Sequence, residues 1–157
     1  MTLALTLALL FQAPAGLAGR WEMDPYESTD PGPMMEHFGV PRAFKSMATM
    51  RFVLNITVGK KSFTMGGGGP MGNRSETFQL DGKTKTRADV FGNKVEFVSA
   101  VEDGVIVSRG TVKRNGKNEP VRWERSVDGD VMKMKLTVGE QTLTRVFRRL
   151  GAAAPER

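Results

Sequence analysis

The chain has 157 residues, a formal charge of +6, no cysteine and a single histidine, His37. Disulfides, thiolate metal sites and cysteine nucleophiles are thereby excluded, and one histidine gives poor grounds for a zinc site or a serine triad. The length suits one domain with a real core, and the scattered basic residues fit a solvated surface as well as an anion-binding one.

Residues 1–15 open with an apolar run from Leu3 to Phe11, broken only by Thr6. The run is too short to span a bilayer. With Ala13-Pro14-Ala15 behind it, it reads as a signal-peptide core and a small-x-small cleavage pattern, although no basic leader precedes it. The alternative is an N-terminal extension on an intracellular protein. The first reading makes the protein secreted and the second cytoplasmic, with residues 16–157 as the domain in both.

Gly19-Arg20-Trp21-Glu22-Met23 alternates as a strand, with Trp21 and Met23 facing inward. Ser28-Thr29-Asp30-Pro31 is a helix-start signal. Met34, Met35 and Phe38 then mark a short amphipathic helix, and Phe44, Met47 and Met50 a second one. Together they make a helical cap over about residues 30–49, with His37 expected as an exposed residue near it.

From Arg51 onward the period becomes two. Phe52, Leu54, Ile56 and Val58 alternate with Arg51, Val53, Asn55 and Thr57. Gly66 to Gly69 weaken the next strand and suggest a bend or a loose edge. Further strands are expected over Arg74–Leu80, Lys83–Val90, Lys94–Val101, Val105–Arg114, Pro120–Val127, Val131–Val138 and Glu140–Arg149. Their turns carry Asp81-Gly82, Phe91-Gly92-Asn93, Asp103-Gly104, Asn115-Gly116 and Asp128-Gly129, all good hairpin chemistry.

Ten short antiparallel strands with a helix pair after the first make an all-β, up-and-down meander. A sheet this long is expected to close into a barrel, too wide for its own side chains to fill.

Two inward faces carry an arginine among apolar residues. On the last strand, Gln141, Leu143, Arg145 and Phe147 share a side. On Pro120–Val127 the apolar face holds Val121, Trp123, Arg125 and Val127, and on the strand between them Met132, Met134, Leu136 and Val138 point inward. A buried guanidinium needs an acidic partner. Either a glutamate such as Glu124 or Glu140 supplies it, or a bound ligand does.

Gly19-x-Trp21, the helix pair with Phe38-Gly39-Val40 at its turn, Asn73 five residues before Phe78, and Thr144-Arg145-Val146-Phe147 resemble the intracellular lipid-binding proteins. These are the fatty-acid-binding and cellular retinoid-binding proteins, within the calycin superfamily, and the resemblance runs from Gly19 to about Arg149. It implies a ten-stranded β-clam capped by a helix-turn-helix, with a non-catalytic carrier function for a long-chain fatty acid or similar acidic lipid. In fatty-acid binders an Arg-x-Tyr pair on the last strand and a further arginine two strands earlier hold the carboxylate. Arg145 and Arg125 match the two arginines, while Phe147 replaces the tyrosine, as it does in many retinoid binders. Trp123-x-Arg125 is similar to the Trp-x-Gln of retinol binders, with arginine favouring a carboxylate over an alcohol.

Expected cavity lining is Trp123, Phe147, Leu143, Met132, Met134, Leu136 and Phe78. The expected portal and cap residues are Met34, Phe38, Phe44, Met47 and Met71, the last standing where many members place a portal phenylalanine. No cofactor, metal or nucleic acid is implied beyond the bound lipid. The protein is expected to be a monomer, with Arg42, Lys45, Lys60 and Lys61, expected near the cap or portal, offering transient contact to anionic membranes. The other readings are a retinoid carrier of the same fold, or a secreted lipocalin, which shares Gly-x-Trp but usually has eight strands and no helix pair after the first. An enzyme lacks a nucleophile-base constellation here.

Overall fold

The computed structural model describes residues 12–69, 72–88 and 94–152. β1 (Gly19–Asp24) leads into α1 (Gly32–His37), a 3-10 turn (Arg42–Phe44) and α2 (Lys45–Ala48). Then follow β2 (Val53–Val58), β3 (Ser62–Gly69), β4 (Gly72–Gln79), β5 (Lys85–Ala88) and β6 (Lys94–Glu102). β7 (Val105–Arg114), β8 (Lys117–Asp128), β9 (Val131–Val138) and β10 (Gln141–Gly151) complete the chain. All ten strands form one antiparallel sheet of order β4-β3-β2-β1-β10-β9-β8-β7-β6-β5. This is the expected all-β clam with a helix-turn-helix cap. Ten strands and a helix pair directly after β1 also set it apart from the eight-stranded lipocalin plan.

Among the described residues the backbone ladder does not close as expected. β4 and β5 are its two edges, and β5 keeps only four residues with which to pair. Side chains bridge the gap: Glu76 of β4 pairs with Arg87 of β5, whose guanidinium lies 5.4 Å from the Phe78 ring centroid.

Turn chemistry explains the hairpins. Asp103 and Asn115 have φ of 48° and 49°, and each is followed by a glycine that is also at positive φ, which is the twist-matched two-residue turn. The glycine run does not break its strand. β3 continues to Gly69 because β2 and β4 both pair with it, Val53 opposite Gly68 and Gly69 opposite Gly72. The expected turn at residues 91–93 lies outside the described residues.

The floor is built by the N-terminal segment. Ala13 and Leu17 are buried in the main core beside Trp21, whose Nε1 donates to the Leu17 carbonyl at 2.9 Å. Arg149 stacks on Trp21 at 4.1 Å and donates to the carbonyls of Gly16 (2.6 Å) and Ala18 (2.9 Å). Gly19 makes room for this, since a Cβ there would stand 2.6 Å from Arg149 Nη1.

At the other end the helices cap the sheet. Asp30 Oδ1 accepts from the Gly32 N–H at 2.9 Å, while Ser28 and Thr29 accept from β10 N–H groups, and α1 has Pro31 at its N-cap with no side-chain cap. α2 is a single turn and buries little, so Phe44 and Met50 remain 48% and 51% exposed. His37 is a correction. Instead of standing exposed, it lies 3.0 Å from Glu119 of β8, which Arg114 of β7 approaches at 3.5 Å. Lys60 and Lys61 are a second correction. They sit on the β2–β3 turn, at the end of β2 away from the cap, whereas Arg42 and Lys45 belong to the cap itself.

Candidate functional site

Register places the candidate site on adjacent rungs of the sheet. Arg125, Met134 and Arg145 are mutual partners across β8, β9 and β10, so the two arginines flank Met134 on one inward-facing rung. The next rung toward the cap carries Ser99, Ser108, Trp123, Leu136 and Leu143 from β6 to β10. On the floor side, Val127, Met132 and Phe147 form the rung below.

Two chambers lie inside. The first, of about 220 Å³, is walled by Phe38, Phe78, Phe97, Trp123 and Leu136, with Ser108 and Arg87 as its chemical landmarks. The second, of about 300 Å³, is walled by Phe52, Leu54, Met134, Leu143 and Phe147 and holds Arg145. Trp123 and Leu136 border both. Of the expected lining, Trp123, Leu136, Leu143, Met134, Phe147 and Phe78 meet a chamber, while Met132 is fully buried in the main core. Phe38 reaches the first chamber from the cap, and Met34 packs nearby on Val112 and Val138. Met71 lies outside the described residues.

The two arginines differ. Arg145 faces the second chamber, 5.5 Å from the Phe52 ring, and donates to the Ala48 carbonyl of α2 at 3.3 Å. Among the described residues no carboxylate pairs with it, and burial holds its guanidinium below the usual arginine range. Arg125 has no exposure at all. Its Cζ is 4.0, 4.7 and 5.2 Å from the ring centroids of Trp123, Phe78 and Phe63. Nη1 donates to Ser108 Oγ at 3.2 Å, and among the described residues Nε and Nη2 have no hydrogen-bond partner. Burial first, then the Arg87 charge, push Arg125 down to about 9, which still leaves it charged at neutral pH. Neither Glu124 nor Glu140 compensates it: Glu124 pairs with Arg122 at 3.1 Å, and Glu140 is exposed.

Arg87 and Ser108 are chamber residues that sequence reasoning missed. Arg87 pairs in register with Val95 and Lys85 with Phe97, so the inward face of β6 was the available signal for β5. Ser108 shares a rung with Trp123 and could have been found the same way.

No protein-family model matches the sequence, and no curated protein does either. Solved structures do match by shape. A Schistosoma mansoni fatty acid binding protein in complex with arachidonic acid superposes with a TM-score of 0.73 at 24% identity, covering 88% of this chain and 99% of that one. The Echinococcus granulosus fatty-acid-binding protein 1 gives 0.70 at 22% identity, covering 86% and 98%. Human cRBP IV gives 0.72 at 17% identity, covering 87% and 99%. The chain has the fold of the fatty-acid-binding and cellular retinoid-binding proteins. The resemblance drawn from Gly19-x-Trp21 and the last strand therefore holds at the level of fold.

Proposed function

We propose that the protein is a non-catalytic carrier of a long-chain fatty acid or a similar acidic lipid. The observation that carries this reading is Arg145, a guanidinium facing an apolar chamber with no acidic partner among the described residues. A carboxylate there replaces a neutral carbonyl acceptor with a charge-assisted, two-toothed one. The acyl chain supplies most of the affinity, at about 0.8 kcal/mol per buried methylene. Arg145 sets orientation and selects for acid.

Arg125 contributes from behind Trp123 and Phe78. It adds positive potential to the chambers and polarises Ser108, but lines neither of them. Arg42 and Lys45 on the cap suit transient docking to an anionic bilayer by a monomeric carrier. Phe147, where fatty-acid binders carry a tyrosine, keeps a retinoid as the second reading.

The test is displacement of a fluorescent fatty acid by oleate and by retinol. Oleate competing at micromolar concentration or below, and better than retinol, is the expected result. Retinol competing better moves the assignment to the second reading, and displacement by neither overturns the carrier function.

A further inference from the structure

The first chamber has an unexpected pair of features for a site that merely stores a hydrocarbon tail. Its walls are aromatic and aliphatic, yet Ser108 and Arg87 both face it. Ser108 is 5% exposed and belongs to a buried chain of polar groups. It accepts from Arg125 Nη1 at 3.2 Å and shares a hydrogen bond with Ser99 at 2.7 Å.

A serine hydroxyl has one donor and two acceptor sites. Arg125 occupies one acceptor. If Ser99 donates, the Ser108 hydroxyl keeps its own hydrogen to give. If Ser108 donates to Ser99, one lone pair remains. Either way one bonding capacity is left, on a side chain that lines the cavity. Arg125, held from below, fixes the oxygen in place.

Charge says what kind of group fits. Arg87 is already paired with Glu76 and lies over Phe78, Phe97 and Trp123 at 5.4, 5.5 and 5.8 Å. Arg125, the uncompensated cation, lies buried behind the rings and does not line the first chamber, so among the described residues the only guanidinium facing it is one already paired. That suits a neutral oxygen better than a second carboxylate, which would have to compete with Glu76.

Position says where on the ligand it sits. Ser108 and Arg145 are on β7 and β10, three strand intervals apart, or about 14 Å along the sheet. A ligand with its carboxylate at Arg145 and its chain passing Trp123 and Leu136 brings mid-chain carbons, not the carboxyl end, to Ser108.

Resting on the carrier reading above, we propose that Ser108, oriented by Arg125 and Ser99, forms a second polar subsite. It selects acidic lipids bearing a neutral oxygen function, a hydroxyl or keto group, in the middle of the chain. Plain fatty acids leave that remaining bonding capacity of Ser108 unmet in an apolar chamber, which is the unfavourable half of the discrimination.

The experiment compares oleate with its mid-chain hydroxyl derivative ricinoleate, by calorimetry on the full chain, for wild type, Ser108→Ala and Ser108→Thr. Dodecanedioate, whose second carboxyl falls at the same mid-chain distance, is the third ligand. Wild type is expected to prefer ricinoleate over oleate by about fivefold or more. That ratio falls to near one in Ser108→Ala and returns in Ser108→Thr, which keeps the hydroxyl. Circular dichroism confirms that each variant is folded, and the ratio is unaffected by a uniform loss of affinity. Equal binding of oleate and ricinoleate by wild type, or a preference that survives Ser108→Ala, overturns the subsite while leaving the carrier standing. Dodecanedioate binding best would assign the chamber to a second carboxylate and overturn it too. Binding of none of the three defeats the carrier reading and the subsite together.

Discussion

Arg125 and Arg145 stand on one rung, each in register with Met134 between them, but only Arg145 faces a cavity. Arg125 is enclosed by the rings of Trp123, Phe78 and Phe63, and among the described residues its side chain hydrogen-bonds only to Ser108. Two like side chains at matching positions therefore carry different costs. Arg145 is half-buried and bonded to the cap, while Arg125 keeps a full charge in the core with two of its nitrogens unpartnered.

That difference makes Arg125→Met a stability test. Removing a buried, uncompensated charge and filling its volume with an apolar chain is expected to raise the unfolding free energy of the lipid-free protein by about 1–3 kcal/mol. Urea denaturation at neutral pH measures it. A loss of stability would mean that the three rings and Ser108 compensate the charge fully.

The pH dependence of that gain follows from the lowered Arg125 value. A base whose folded pKa lies below its unfolded one makes folding costly while it is charged in both states, and stability recovers as pH rises through the folded value. The advantage of Arg125→Met is therefore constant up to about pH 8 and narrows as pH climbs through about 9. Denaturation curves for both proteins between pH 7 and pH 10, about that value, check it.

The buried floor predicts the cost of trimming. A chain starting at residue 16 loses Ala13 but keeps Leu17 and the Gly16 and Ala18 carbonyls that Arg149 binds. One starting at residue 19 loses all of them. The first is expected to be about 1 kcal/mol less stable than the full chain and the second about 3 kcal/mol or more, from lost apolar burial alone. Thermal unfolding of the three chains makes the comparison.

The cap is tied to the far strands by His37 and Glu119, with side chains 19% and 22% exposed. A double-mutant cycle with His37→Ala and Glu119→Ala is expected to give a coupling of about 0.5–1 kcal/mol in stability, modest because solvent reaches the pair. Coupling near zero would make the 3.0 Å contact incidental.

Much of this arrangement was legible in the sequence because strands alternate faces. Parity alone put Arg125, Arg145, Trp123 and Leu136 inside, and Asn115-Gly116 and Asp103-Gly104 fixed two turns through their backbone preferences. What stayed hidden depends on contacts distant in sequence. The enclosure of Arg125 comes from rings on β3, β4 and β8, and His37 meets a glutamate 82 residues away. Arg87 escaped notice because four-residue β5 has no apolar alternation of its own, and only its pairing with β6 reveals which side faces in. The glycines of β3 read locally as a break, yet two flanking strands supply the hydrogen bonds that hold them extended.

The central claim is that Arg145 recognises a carboxylate, and calorimetry of oleate against oleyl alcohol on wild type and Arg145→Gln tests it most directly. Wild type is expected to favour the acid by about tenfold or more, the value of one charge-assisted contact, and Arg145→Gln to lose most of that preference. Oleyl alcohol binding wild type as tightly as oleate, or a preference for the acid that survives in Arg145→Gln, would contradict it.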